Sequence, residues 1–208
     1  MTPDILAPHL PLHDDELGQG YFARTGYFHA GVNAVKFCRY SGVERFDLRH
    51  GTETFIKAMA AMTGSRAEEI AANTLRARSD NALELRGERL GLPVVRRTFD
   101  RFCPYCLHDN AAFHPGTGDA ARRLHWAWLL RPVVICPEHG VVLTELPAPD
   151  AVRAFDLSRL LVDHDFMLPE VPTSGKAKPG ALQAYVMDWL VGRKDAAAWL
   201  DEQDVDRG

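Results

Sequence analysis

The stretches RFCPYCLHDN (residues 101–110) and VVICPEHGVVL (residues 133–143) decide how this chain is read. Each carries two potential metal ligands three positions apart, Cys103 with Cys106 and Cys136 with His139. A pair at that spacing on a tight turn presents both side chains to one side of the turn. Proline after the first cysteine of each pair fixes the turn, and Gly140 lets the backbone bend after His139. Two such turns facing each other supply three thiolates and one imidazole, the closed tetrahedral Cys3His set of structural zinc. The triplets Val133–Val134–Ile135 and Val141–Val142–Leu143 are expected to pair as a short β-hairpin carrying the second ligand pair at its tip. Two other chemistries are weaker fits. A redox C-x-x-C belongs in a thioredoxin-like βαβ pattern, which is not seen around Cys103. A hydrolytic zinc needs an open ligand position and a nearby general base, and no H-E-x-x-H or H-x-E pattern occurs. His108, His114 and His125 have irregular spacing and are read as surface or packing residues. Cys38, alone in KFCRY, is read as a small buried apolar residue.

Composition bounds the rest. With 208 residues, 46% hydrophobic and 25% charged, the chain holds one ordinary domain or two small ones. No apolar run reaches the length of a membrane span, and the N-terminus lacks the basic start and apolar core of a secretory signal. A cytoplasmic protein is expected, and in a reducing compartment its four cysteines read as metal ligands before disulfides. A net charge of −4 does not mark the whole chain as a nucleic-acid binder. Residues 76–131, however, hold ten arginines against six acids and no lysine. Guanidinium groups grip phosphate and carboxylate alike, so a phosphate-binding surface and a solvated face of local ion pairs both fit. Arg66, Arg76, Arg78, Arg96, Arg97, Arg122 and Arg123 are the candidate nucleic-acid contacts.

Three regions are expected. Residues 1–100 form a helical region, opening on an extended lead-in and a short helix on which Leu17, Tyr21 and Phe22 share a face. Within it, residues 52–75 read as two helices around a tight turn. Thr52 is the first N-cap, Phe55, Met59 and Met62 recur at helical spacing, Gly64 stops the first helix, and Ser65 with Glu68 forms a capping box for the second. Ala60, Gly64 and Ile70 occupy the small, glycine and aliphatic positions that a helix-turn-helix wants, although a plain helical hairpin uses them too. Its outward face offers Arg66, Glu68, Ala71, Ala72 and Asn73, a poor set of base readers. Residues 81–102 read as strand or loop. Residues 101–146 are the zinc module, in which DAARRLHWAWLLRP is expected as a helix burying Trp126 and Trp128, with base stacking as the alternative. Residues 147–208 are acidic, with a linker at 171–180 and an amphipathic helix carrying Leu182, Tyr185, Val186, Trp189 and Leu190 on one side. The fold class is mainly α, with a small zinc-stabilised, zinc-ribbon-like β-hairpin subdomain and an N-terminal helix-turn-helix-like hairpin.

CPYCL followed by RRLHWAWLLRPVVICPEHGVVL resembles the TniQ family of transposition proteins. The family pattern is a CPxCL turn, a basic and tryptophan-rich segment, then C-P-x-H-G before an aliphatic pair. AMTGSRAEEIAANTL resembles the helical hairpin ahead of that module, and LPLHDDELGQGYFARTG resembles the family's opening, where an acidic residue and leucine precede an aromatic and arginine. The resemblance covers residues 10–146. The chain is shorter than the larger TnsD-like members, and its opening has no serine-tryptophan element. The resemblance implies a non-enzymatic target selector or adaptor in DNA transposition, joining an AAA+ ATPase and transposase to a DNA site, directly or on an RNA-guided complex. It also implies that Cys103, Cys106, Cys136 and His139 carry the zinc. The competing reading is a zinc-containing transcriptional regulator that reads DNA through residues 52–75, for which a homodimer on a palindromic site is expected.

Overall fold

The computed structural model describes residues 5–78, 81–96, 99–113, 118–148, 150–168, 175 and 177–193. Five helices come first: α1 (Gly18–Ala30), α2 (Ala34–Ser41), α3 (Arg45–His50), α4 (Glu53–Thr63) and α5 (Ala67–Ala72). A three-stranded antiparallel sheet follows, β1 (Arg76–Ala77), β2 (Leu83–Leu85) and β3 (Glu88–Leu90), in sequence order. Then come β4 (Phe99–Phe102), α6 (Pro104–Phe113), β5 (Thr144–Pro147), α7 (Leu157–Asp163) and α8 (Ala181–Leu190). β4 and β5 pair antiparallel, with Arg101 opposite Glu145. The fold is mainly helical with small antiparallel sheets. Among the described residues no helix is long and apolar enough to cross a membrane.

α1 is the central element. Residues Gly18–Gly26 are all buried, although glycine in a helix interior costs about 1 kcal/mol relative to alanine. Close packing explains why glycine is kept here. A Cβ on Gly20 would sit 2.8 Å from Leu124 Cβ, and one on Gly26 would sit 2.6 Å from the Phe37 ring. The helix lies between two apolar clusters. Tyr21 and Phe22 pack with Phe37, Leu48, Phe55, Ile56, Met59 and Ile70. Leu17 joins the other cluster, which holds the cysteines, Phe102, Leu107, Trp126, Trp128 and Val186. Glu16 and Arg24 are both buried at this junction. Arg24 Nε donates to Glu16 Oε1 at 2.7 Å and Nη2 to Oε2 at 2.7 Å. The same guanidinium also donates to Ala120 O at 3.0 Å and Pro11 O at 2.6 Å. Burial pushes the Glu16 carboxyl above its ordinary range, and Arg24 opposes it.

The helical hairpin forms largely as its sequence suggests. Thr52 caps α4 by accepting from Phe55 N at 3.3 Å, and Gly64 takes the left-handed conformation, φ 72°. Ser65 departs from the expected capping box. Its Oγ lies 3.2 Å from Tyr21 OH, and Arg66 holds the N-cap position of α5 without a side-chain cap bond. The 119–132 stretch also departs. In place of one α-helix it makes two 3-10 turns, at 118–121 and 126–129, joined by extended chain. The tryptophans are nonetheless buried there, and Trp126 Nε1 donates to Asp14 O at 3.1 Å. The β2–β3 loop is a tight turn in which Arg86 (φ 55°) and Gly87 (φ 80°) both take positive φ, as two-residue hairpins prefer.

α8 buries Val186, Trp189 and Leu190 against the cysteine side, while Leu182 is exposed. Its decisive contact is polar. Gln183 Nε2 donates to Ile135 O at 2.6 Å, and its Oε1 accepts from Val134 N and Ile135 N at 3.1 Å each. Of the expected linker, residues 171–174 and 176 lie outside the described residues.

Replacing Arg24 by methionine would leave Glu16 an uncompensated buried carboxylate. The expected loss is about 3–5 kcal/mol in urea unfolding. Glu16→Leu combined with Arg24→Met should cost less than Arg24→Met alone; a double variant as unstable as the single one would contradict the role given to the pair.

Candidate metal centre

Four side chains from two separate chain segments meet at one point. Cys103 directly follows β4, and Pro104 starts α6 at the position where a missing N–H is harmless. Cys106 then falls in the first turn of α6, so the first ligand pair rides on a helix start and not on a β-turn. The second pair brackets the turn 136–139. Gly140 N donates to Cys136 O at 2.8 Å, Cys136 N to Val141 O at 2.8 Å, and Leu143 N to Val134 O at 2.9 Å. The expected hairpin is thus present as a turn with a single bridge, Ile135 to Val142. Gly140 has φ 60°, and a Cβ there would lie 2.9 Å from the carbonyls of Gly175 and Ala177.

The ligand atoms of Cys103, Cys106, Cys136 and His139 all lie within 4.8 Å of one another. Cys106 Sγ is 3.5 Å from Cys136 Sγ, and His139 Nδ1 is 3.6, 3.4 and 3.7 Å from the sulfurs of Cys103, Cys106 and Cys136. A tetrahedron with metal–sulfur bonds of ~2.3 Å and a metal–nitrogen bond of ~2.0 Å has edges of about 3.5 to 3.8 Å. The cluster therefore has the dimensions to hold a metal ion. Its protonation chemistry agrees. The Cys136 thiol is driven far below its usual range by hydrogen bonds from Cys103 and Cys106 and from the His139 N–H, against the effect of burial. Cys106 is driven far above it by Cys103, Cys136 and burial. At Cys103 the hydrogen bond with Cys106 lowers the pKa, but Cys136 and burial outweigh it and push the thiol up to about 11. Three thiolates this close in a buried site repel one another, and a cation between them would offset that repulsion.

Sequence reasoning missed one residue of this centre. His139 turns Nδ1 to the sulfurs, and its Nε2 lies 3.1 Å from Asp109 Oδ2. A carboxylate behind a metal-binding histidine fixes the ring orientation and raises its basicity. The only available signal was that Asp109 stands three residues after Cys106 on the same helix. His108 reaches Asp109 Oδ1 at 3.5 Å and takes no place in the cluster. His125 stacks on Trp128, with centroids 4.0 Å apart and planes at 3°. Burial holds its imidazole down at about 4, and it is not in the cluster. His114 lies outside the described residues. Cys38 is buried in the other apolar cluster, with Tyr21 and Phe22, and burial pushes its thiol up to about 11.

Of the arginines singled out from the sequence, Arg97 lies outside the described residues. Each of the other six has a carboxylate within reach. Arg66 pairs with Glu68 and Glu69 at 3.8 and 3.6 Å. Arg76 pairs with Glu53 and Glu84 at 3.5 and 3.7 Å, and Arg78 with Glu84. Arg96 meets Glu145 at 3.0 Å, Arg122 meets Asp119 at 2.8 Å, and Arg123 meets Asp15 at 3.4 Å. These residues are spread over several elements and do not converge on one site.

A mainly helical protein with a buried Cys3His centre sewn between a helix start and a glycine turn is the class that this geometry defines. The TniQ family model matches residues 7–143, and the chain belongs to the TniQ family. No curated protein gives a match.

Cys103→Ser or His139→Ala is expected to open residues 101–146 to proteases; unchanged protease resistance would count against the centre as a fastening. Asp109→Ala keeps all four ligands. Metal affinity, read by competition with a chromophoric chelator, is expected to fall about 10–100-fold, and an unaltered affinity would remove Asp109 from the centre.

Proposed function

We propose that this chain is a non-enzymatic, zinc-fastened subunit of a DNA transposition system, linking a target site to an AAA+ ATPase and transposase. The observation that carries the reading is that the family match, residues 7–143, encloses all four members of the Cys3His cluster. The assignment and the site therefore support each other. Three soft thiolates and an imidazole at these spacings suit zinc. A fourth protein ligand fills the position that a catalytic zinc would leave for water, in keeping with a fastening and not a reaction centre. Metal binding then supplies folding free energy to the segment 101–146. Target engagement is by direct DNA contact or through an RNA-guided complex, in the cytoplasm.

The regulator reading has less support. α5 is six residues long and presents Glu68 and Glu69, with Arg66 turned back onto them. Phosphate would be repelled there.

The test is size-exclusion chromatography of zinc-loaded protein with an AAA+ transposition ATPase from the same genome, in the presence of ATP and duplex DNA. Co-elution that is lost on chelating the zinc is expected. A protein that ignores the ATPase and binds a palindromic duplex as a homodimer would replace the adaptor reading by the regulator.

A further inference from the structure

We propose that the outer face of α2 and α3 is a contact surface for the phosphodiester backbone of duplex DNA, an inference that rests on the transposition reading. Lys36 and Arg39 of α2 and Arg45 and Arg49 of α3 are all exposed, and Val35 of α2 lines one cleft with Arg45 and Arg49. None of the four has a carboxylate partner among the described residues, in contrast to the six described arginines considered above. The acids nearby are Glu44 and Asp47. Asp47 accepts from Thr52 Oγ1 at 2.6 Å, so Glu44 and Asp47 set two negative charges against the four cations. At the edge, Arg153 is paired with Asp150 at 3.5 Å.

Two large aromatic residues stand among these cations. Tyr40 is 61% exposed and Phe46 65% exposed. Lys36 Nζ lies 5.8 Å from the Tyr40 ring centroid, and Phe46 packs on His50 at 4.2 Å. Arg45, Phe46, Arg49 and Arg153 also line a cleft of about 330 Å3 beside α3. Exposed aromatic rings set among cations offer apolar surface beside charge. Such rings give apolar contact to sugars beside the phosphates. The face is also held in place from below. Asn33 caps α2 by accepting from Lys36 N at 2.9 Å, Asp156 Oδ2 accepts from Ala34 N at 2.6 Å, and Phe37 and Leu48 are buried. With a net charge of −4 on the chain, a local cluster of unpaired cations is what would orient the protein on a polyanion.

The test is fluorescence anisotropy with a random-sequence duplex of about 20 base pairs over 50–200 mM NaCl, where each neutralised phosphate adds about −0.9 to the log–log salt slope. The unaltered protein is expected to bind with a slope of about −3 to −4. Joint Lys36→Gln, Arg39→Gln, Arg45→Gln and Arg49→Gln should lower the affinity at the lowest salt at least about tenfold and remove most of the slope. Arg45→Gln or Arg49→Gln alone should reduce the slope by about one. A control with Arg66→Gln, Arg78→Gln and Arg122→Gln should bind like the unaltered protein. Binding that survives the fourfold change, with an unchanged thermal melt, would overturn this surface while leaving direct DNA contact in place. No binding by the unaltered protein at the lowest salt would overturn it too, while the adaptor reading would still stand or fall on co-elution with the ATPase.

Discussion

Three thiols and an imidazole packed at 3.4 to 3.7 Å impose a constraint that much of the structure answers to. Three sulfurs in a buried site cannot all ionise without a cation between them. A cation held there would join the start of α6 to the 136–139 turn across 29 intervening residues. Closing so long a loop is entropically costly for a flexible chain, and such a joint would offset that cost. Beyond α6, residues 118–132 then have no need to be a regular helix. They run through 3-10 turns and place Leu124, Trp126, Trp128 and Leu129 into the core between α1 and the cysteines. Gln183 extends the same joint to α8, since its amide satisfies the backbone of residues 134 and 135 where no strand does.

The second fastening is the Glu16–Arg24 pair. It sits where the two apolar clusters meet and ties the lead-in, α1 and the 118–121 turn together through one guanidinium. A buried pair of this kind is a modest source of net stability, because desolvation offsets much of the attraction. Its value here is geometric. Four hydrogen bonds from a planar fork fix the entry of α1 in a way that apolar contacts alone would not, and α1 sets the relation of the helical region to the metal centre. The pair also gives a physical meaning to the acidic-leucine, aromatic-arginine pattern of the opening: Glu16 and Arg24 are the partners, and Leu17 and Tyr21 face the two clusters.

Charge tells a similar story. A window of sequence with ten arginines looks cationic, yet folding matches Arg76, Arg78, Arg96, Arg122 and Arg123 to acids contributed by other segments as well as their own. Arg86 is spent in the same way, bonded to Asn73 Oδ1 at 2.7 Å and lying over Trp126. Lys36, Arg39, Arg45 and Arg49 are fewer, but they are exposed on two short helices without such partners among the described residues.

Some of this was legible in the residues alone. The four members of the cluster follow from spacing and chemistry, since two C-P-x-[CH] motifs group three thiols and a histidine. The α4–α5 hairpin follows from Thr52, Gly64 and the buried positions Phe55, Met59 and Ile70, because caps and helical periodicity are local. What the sequence by itself determined is therefore whatever depends on neighbours within one or two helical turns. The tertiary structure decided the rest. Ser65 left its capping box because Tyr21, 44 residues away, offered its hydroxyl. The tryptophan segment gave up helical form because its buried rings are anchored to Asp14 and the core and not to its own turns. Asp109 joined the centre, and Gln183 pinned it, through contacts 30 and 48 residues apart in the chain. Such partnerships depend on which segments come to lie side by side, and no local pattern of residue types records that.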